Sequence, residues 1–363
     1  MLLRAVDRSD RQPIISFFYG YKRLNDLVEK ELKRSGIEVI TDFERRVDAD
    51  IELNISAPFE AIKPTMHPAI KFTMWEFRDI PRWIVDCIIS ERWERILVPS
   101  RFCNQVFRSH GINSYYSPIG IDDKFKYLER DWNIEPLRVL TIVSAIPDRK
   151  CGHRIIDYAF ENEIPGIQFV VKSSPFRSEA AIDEVDLPQL QVINRKLDDQ
   201  EFIELLGSCH VSLNISAGEG YGMLPVECAA TGMYTAIHAL TGYSEFVHGP
   251  FYKLEAEWRY FYDFEGTGAY VDRSEIDKFL AYCLANRDRL EKLGFKLSQW
   301  VRANCLFKDK VEYLIKHLEN VIENYPSKKI VPLDQLHGMF RKEAPDFFEL
   351  WEAIIEDEIK TDT

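Results

Sequence analysis

Residues 218–227 read Gly-Glu-Gly-Tyr-Gly-Met-Leu-Pro-Val-Glu, with three glycines in the first five positions and seven residues between Glu219 and Glu227. Upstream, the alternating run Cys209 to Ile215 (CHVSLNI) reads as a buried strand; downstream, ECAATGM (227–233) reads as a helix of small residues. Gly220 and Gly222 allow backbone angles and close approaches that a side chain would block, and Pro225 suits the first turn of a helix. The stretch is therefore a strand, glycine loop, helix unit. A helix that starts there turns its free N–H groups and the positive end of its dipole toward the loop, so an anionic group such as a diphosphate fits in front of it. The two carboxylates flank that anion from opposite ends of the loop.

The rest of the chain is consistent with a soluble α/β protein. At 363 residues it is long for one core and comfortable for two domains. Its 46% hydrophobic and 29% charged residues contain no apolar run of about 18, and MLLRAVDRSDRQ lacks a signal-peptide core, so neither a spanning helix nor secretion is expected. Seven scattered cysteines without a CxxC pair suit reduced thiols in a cytoplasmic compartment and argue against a metal cluster. The formal charge of −13 disfavours broad attraction to nucleic acid or anionic lipid, although a local basic groove remains open.

Around the glycine loop, strands and helices alternate. Ile14–Phe18 reads as a strand, Tyr19–Arg23 as a loop and Leu24–Ser35 as an amphipathic helix ended by Gly36. Strands follow at 37–41, 51–55 and 70–74, the last ending in Trp75-Glu76 before a loop with Arg78. Further strands are expected at 95–100, 138–143, 167–172 and 191–194. The loop after Val143 carries Ser144 and the pair Arg149-Lys150, and Lys172 closes the next strand. Such alternation predicts doubly wound parallel sheets with ligands beyond the carboxyl ends of the strands. Asp48-Ala49-Asp50 mimics a metal-binding DxD and reads as coincidence; no metal site is expected. Residues 126–137 show no periodicity and read as a connection between domains. The acidic tail from 326 onward, with Phe347, Phe348, Leu350, Trp351 and Ile354 at helical spacing, reads as a cap or an association element.

Glu219, Gly220, Tyr221, Gly222, Leu224, Pro225, Glu227 and Ala229, followed by Thr231-Gly232, resemble the nucleotide-sugar loop of retaining glycosyltransferases with the GT-B fold, of the sucrose-synthase and mannosyltransferase-like group (family 4 type). VPSRFCNQVFRSHGI (98–112) and SPIGIDDKF (117–125) are similar to two further segments of that group, with Ile119 where an asparagine is common. The resemblance implies two Rossmann-like domains facing a cleft, with final helices crossing back to the first: 1–126, a linker at 127–137, 138–307, and 308–363. It implies sugar transfer from a nucleoside diphosphate, UDP above others, to a hydroxyl acceptor, with no cofactor or metal.

In that scheme Glu219 serves the donor sugar, Glu227 the ribose, and Arg149 and Lys150 the phosphates. Gly220 to Leu224, Met223 included, line the donor site, with Lys172 and Ser144 as further candidates. Ser144 stands where relatives carry an arginine, and Trp75-Glu76 where they carry His-Asp; Glu76 is the candidate for the aspartate's place. Trp75, Arg78, Tyr21 and Lys22 are acceptor-side candidates. A glycan or lipid-linked sugar is the default acceptor. The TMWE and VPS segments are also similar to glycosyltransferases of large phages, which adds a hydroxymethylated DNA base and a host cytoplasm. A GT-B epimerase or phosphorylase, and a non-catalytic scaffold that binds nucleotide sugars, stand as alternatives.

Overall fold

A computed structural model describes residues 4–6, 19–40, 49–58, 64–143, 149–173, 184–262, 265–325 and 329–330. The expected strand at 14–18, Ser144 and the acidic tail other than residues 329–330 lie outside them. The described residues form two compact units: those within 1–75, 80–118 and 307–363, and those within 76–79 and 119–306.

The first unit contains β1 (Arg4–Val6), α1 (Tyr19–Arg34), β2 (Glu38–Ile40), β3 (Glu52–Ile55), β4 (Met66–His67), β5 (Ala69–Phe72), α2 (Arg82–Ser90), β6 (Arg95–Val98), α3 (Arg101–Ser109) and β7 (Ser114–Tyr116). Strands β3, β5, β6 and β7 pair in that order and in parallel. The amphipathic helices cover this sheet by burying residues spaced three and four apart, such as Cys103, Val106 and Phe107 on α3. Ser100 caps α3 by accepting from the Cys103 N–H at 3.1 Å, and Gly111, at φ +81°, follows its end.

Contrary to the sequence expectation, Tyr19–Arg23 is not a loop but the start of α1. Gly20 in a helix costs only about 1 kcal/mol, and the buried stripe Leu24, Leu27, Val28 and Leu32 outweighs it. Tyr21 and Lys22 therefore sit on a helix.

The second unit contains β8 (Leu137–Ile142), α4 (Gly152–Glu161), β9 (Ile167–Ser173), β10 (Val185–Asp186), β11 (Leu190–Asn194), α5 (Asp199–Ser208), β12 (Val211–Leu213), α6 (Met223–Ala230), β13 (Tyr234–His238), β14 (Tyr252–Leu254), β15 (Glu257–Phe261), β16 (Gly266–Tyr270), α7 (Arg273–Ala285) and α8 (Leu290–Asn304). Its sheet runs β10-β11-β9-β8-β12-β13-β14, parallel except for the β10 edge. The first strand of the unit, β8, lies in the middle. Successive strands move outward on one side through β9 and β11, then on the other through β12, β13 and β14. The order reverses between β8 and β12, and at such a switch point the two following loops leave in opposite directions and open a crevice beyond the strand ends. Strand β13 escaped the sequence reading because all five of its residues are buried; a strand covered on both faces has no alternation to detect.

Residues 127–137, read as a connection, are packed onto the second unit. The Tyr127 ring meets Phe295 edge-on at 5.2 Å, Arg130 donates to the carbonyls of Cys209 and Thr231, and Trp132 packs on His210. Irregular backbone held by such individual contacts leaves no period in the sequence. Beyond residue 306 the chain joins the first unit through α9 (Val311–Asn324) and β17 (Lys329–Ile330), which pairs with β4. On α9, His317 and Asn320 meet the Arg95 guanidinium at 2.9 and 2.5 Å. Among the described residues no helix is long and apolar enough to cross a membrane, and no disulfide joins any of the seven cysteines.

Candidate donor site

The loops that leave β8 and β12 meet at the switch point. Arg149 and Lys150 come from the first; Ser216 to Gly222 form the second. Lys150 Nζ lies 3.1 Å from Glu219 Oε1, Arg149 Nη1 lies 3.4 Å from the same oxygen, and Arg149 Nη2 lies 3.7 Å from Glu76 Oε1. Arg149 also donates to the Gly218 carbonyl, and its own carbonyl accepts from the Ala217 N–H at 2.8 Å. Two cations and two carboxylates are thus gathered within one largely buried cluster.

The local environment sets the charges. Burial alone would raise the Glu219 carboxyl, but Lys150 and Arg149 outweigh it and hold the group below the usual carboxylate range. Burial is the larger influence on Glu76 and pushes its carboxyl up despite Arg149. Burial opposes the charge of Arg149, yet Glu219 and Glu76 raise its pKa, so it stays a cation. The carboxylate tied down as an anion is therefore Glu219, and the one readier to take a proton is Glu76.

Close packing fixes the loop. A Cβ on Gly218 would lie 2.7 Å from the Glu76 carbonyl oxygen, and one on Gly242 would lie 2.6 Å from the Glu219 carbonyl oxygen. The Gly242 N–H donates to that same oxygen at 2.7 Å. Gly222 stands at φ +96° as the residue preceding α6, with the Tyr243 ring where a Cβ would go. Met223 and Leu224 are half-buried at the start of α6, while Glu227, one turn on, is buried. Tyr221 is buried too, its ring edge-on to Phe246 at 5.0 Å, so it is a support of the loop.

Residues not singled out in the sequence complete the support. The His238 Nδ1 accepts from the Leu240 N–H at 3.2 Å, which leaves the proton on Nε2 to be donated to the Ser216 carbonyl at 2.8 Å. Burial lowers the His238 pKa to about 4, so the ring is neutral. Ser216 Oγ in turn donates to the Gly218 carbonyl at 2.9 Å. A lone histidine at the end of an unrecognised strand gave no signal, because its partner lies 22 residues away.

The remaining candidates are spread out. Glu76 joins the cluster, but Trp75 belongs to the first unit, buried there with its carbonyl accepting from Cys103 Sγ at 3.2 Å. Arg78 is exposed; its N–H donates to the Thr267 carbonyl at 2.8 Å and its guanidinium lies 5.7 Å from the Trp258 ring centre. Lys172 is buried near the end of β9, where it donates to the Ser173 carbonyl, and burial together with Arg195 lowers its pKa to about 8.

The fold is shared with known structures. HepE of Anabaena, in a crystal structure with UDP, superposes at a TM-score of 0.61 with 10% identity, covering 88% of this chain and all of that one. Sucrose-phosphate synthase from Thermosynechococcus elongatus gives 0.58 with 11% identity, over 87% of this chain and 82% of that one. The chain has the GT-B fold. A UDP-forming trehalose-phosphate synthase from Burkholderia xenovorans adds a match at 0.54 with 15% identity, over 83% of this chain and 78% of that one. No protein-family model matches the sequence, and no curated protein matches it. At these identities the likeness establishes the fold.

Proposed function

We propose that this chain is a glycosyltransferase that takes its sugar from a nucleoside diphosphate, a UDP-sugar foremost, and passes it to a hydroxyl acceptor with retention. The observation that carries this reading is the convergence of Arg149 and Lys150 on Glu219 at the switch point, in front of the α6 N-terminus. The neighbours support it: HepE was solved with UDP and with UDP and glucose, and the trehalose-phosphate synthase is described as UDP-forming.

The chemistry is that of a leaving diphosphate. As the bond from sugar to phosphate breaks, negative charge builds on the phosphate oxygens, and cations held in a buried site stabilise that charge more than water would. Lys150 and Arg149 supply the charge, with N–H groups of Gly222 to Leu224 as additional donors. Neutralisation by these side chains requires neither a metal nor a cofactor. Glu219, fixed as an anion, accepts hydrogen bonds from sugar hydroxyls, and Glu227 accepts from the ribose. Retention follows when the acceptor attacks the face the phosphate leaves, the phosphate oxygen taking its proton. We place the protein in a cytoplasm, in keeping with its seven cysteines, and take a glycan as the acceptor.

A binding and hydrolysis screen of UDP-, GDP- and ADP-sugars tests this on wild type, Lys150→Ala and Glu227→Ala. One donor bound and slowly hydrolysed by wild type, and lost by both variants, is the expected result. Variants that bind every donor as wild type does would overturn the site.

A further inference from the structure

The β15–β16 hairpin carries a surface that the donor site does not use. Trp258 and Tyr260 alternate along β15 and so share one face, opposite the small residues Ala269 and Thr267 of β16. Tyr262 follows, with its ring 5.1 Å from that of Tyr260. The three side chains are 36%, 51% and 85% exposed. On the other face Phe261 packs on Phe77 and a Cβ on Gly268 would lie 2.4 Å from the Ala217 carbonyl oxygen, whereas Glu257 and Arg259 are exposed and pair with each other. The Ala269 N–H also donates to that oxygen at 2.7 Å. Ala217 is two residues before Glu219, so the aromatic face is rigidly continuous with the donor site. The Arg78 guanidinium beside Trp258 adds a fork of hydrogen-bond donors at its edge.

We propose that Trp258, Tyr260 and Tyr262 form a platform for an uncharged carbohydrate chain, the acceptor of the transfer proposed above. The negative face of an aromatic ring attracts the C–H groups on the flat side of a sugar, and Tyr260 and Tyr262 are exposed enough to meet one. Trp258 and Tyr260, two residues apart on the strand, are set roughly 7 Å apart along it, a spacing that suits successive units of a chain, and the Tyr262 ring stands edge-on to that of Tyr260. Charge selects the occupant. Residues 255–265 hold four acids against one arginine, and with Arg78 counted the balance stays negative, which disfavours the phosphates of a nucleic acid or an anionic lipid surface and leaves neutral sugars unaffected.

The inference rests on the glycosyltransferase reading, and the test separates the two. Binding of wild type and of Trp258→Ala/Tyr260→Ala is measured on a panel of immobilised neutral glucan, mannan and galactan oligosaccharides, with UDP binding in parallel. Retained UDP binding shows that the variant folds. The expected result is capture of at least one oligosaccharide, weakened about tenfold or more in the variant, with UDP binding unchanged. Wild type that binds no oligosaccharide, or a variant that binds as well as wild type, overturns the platform while leaving the donor site standing. A variant that instead loses self-association in sedimentation, or affinity for single-stranded oligo-dT, also overturns it. Loss of UDP binding by wild type itself would strike at the donor reading.

Discussion

Gly222→Ala probes the position at which the glycine loop enters α6. Two separate costs meet at this position. A side chain at φ +96° is strained, by about 1–2 kcal/mol for an L-residue in the left-handed region. The new Cβ would also lie 2.4 and 2.5 Å from two carbons of the Tyr243 ring, itself fully packed, and overpacking of that kind costs about 1–3 kcal/mol. Together they predict a loss of about 2–5 kcal/mol, or a fall in Tm of very roughly 5–15 °C for a unit of this size. The two costs separate in a double-mutant cycle. In a Tyr243→Ala background the ring is gone, so Gly222→Ala should cost only the backbone share, about 1–2 kcal/mol. Urea unfolding of the four proteins, followed by circular dichroism, gives the numbers. The reasoning is refuted if Gly222→Ala lies within about 0.5 kcal/mol of wild type, or if its cost is the same in both backgrounds.

Three further outcomes are expected. Folding depresses the Glu219 pKa from 4.5, so its contribution is complete above that pH and lost as pH falls through the folded value; folding raises that of Glu76, so its ionisation costs stability above pH 4.5. Thermal melts from pH 3 to 7 should therefore show Glu219→Gln less stable than wild type at neutral pH and converging with it in acid, and Glu76→Gln at least as stable as wild type at pH 7. His238 is neutral when folded, with its pKa lowered from 6.5 to about 4; wild type should lose about 3 kcal/mol as pH falls between those values, and His238→Gln should lose less. In the first unit, Lys71 Nζ pairs with Glu91 Oε2 at 2.6 Å, both side chains buried. Lys71→Met should cost about 3–5 kcal/mol by stranding the Glu91 charge, whereas Lys71→Met/Glu91→Leu should recover most of it in urea unfolding.

Much of the candidate site was legible because it is local. Glu219, Gly222 and Glu227 lie within nine residues, and the glycines that a strand-to-helix turn demands mark the place; Arg149 and Lys150 follow a strand as recognisable as any in the chain. Its supports were not legible. His238 acts through the Ser216 carbonyl, Gly242 through that of Glu219, and Ala269 through that of Ala217. Backbone carbonyls have no residue-specific signature, so the sequence cannot advertise what is bonded to them.

By itself the sequence determined that strands and helices alternate, that a glycine loop enters a helix beside two glutamates, and that a basic pair follows an earlier strand. Periodicity and the special angles of glycine are properties of neighbouring residues, and these suffice. Only the tertiary structure decided that β8 and β12 are adjacent, which brings Arg149 and Lys150 onto Glu219 across about seventy residues of chain. It alone also assigned Glu76–Asp79 to the second unit and tied that segment to the β16 strand. Strand order is set by which buried faces fit together, and that choice is made among segments distant in the chain, where no local pattern records it.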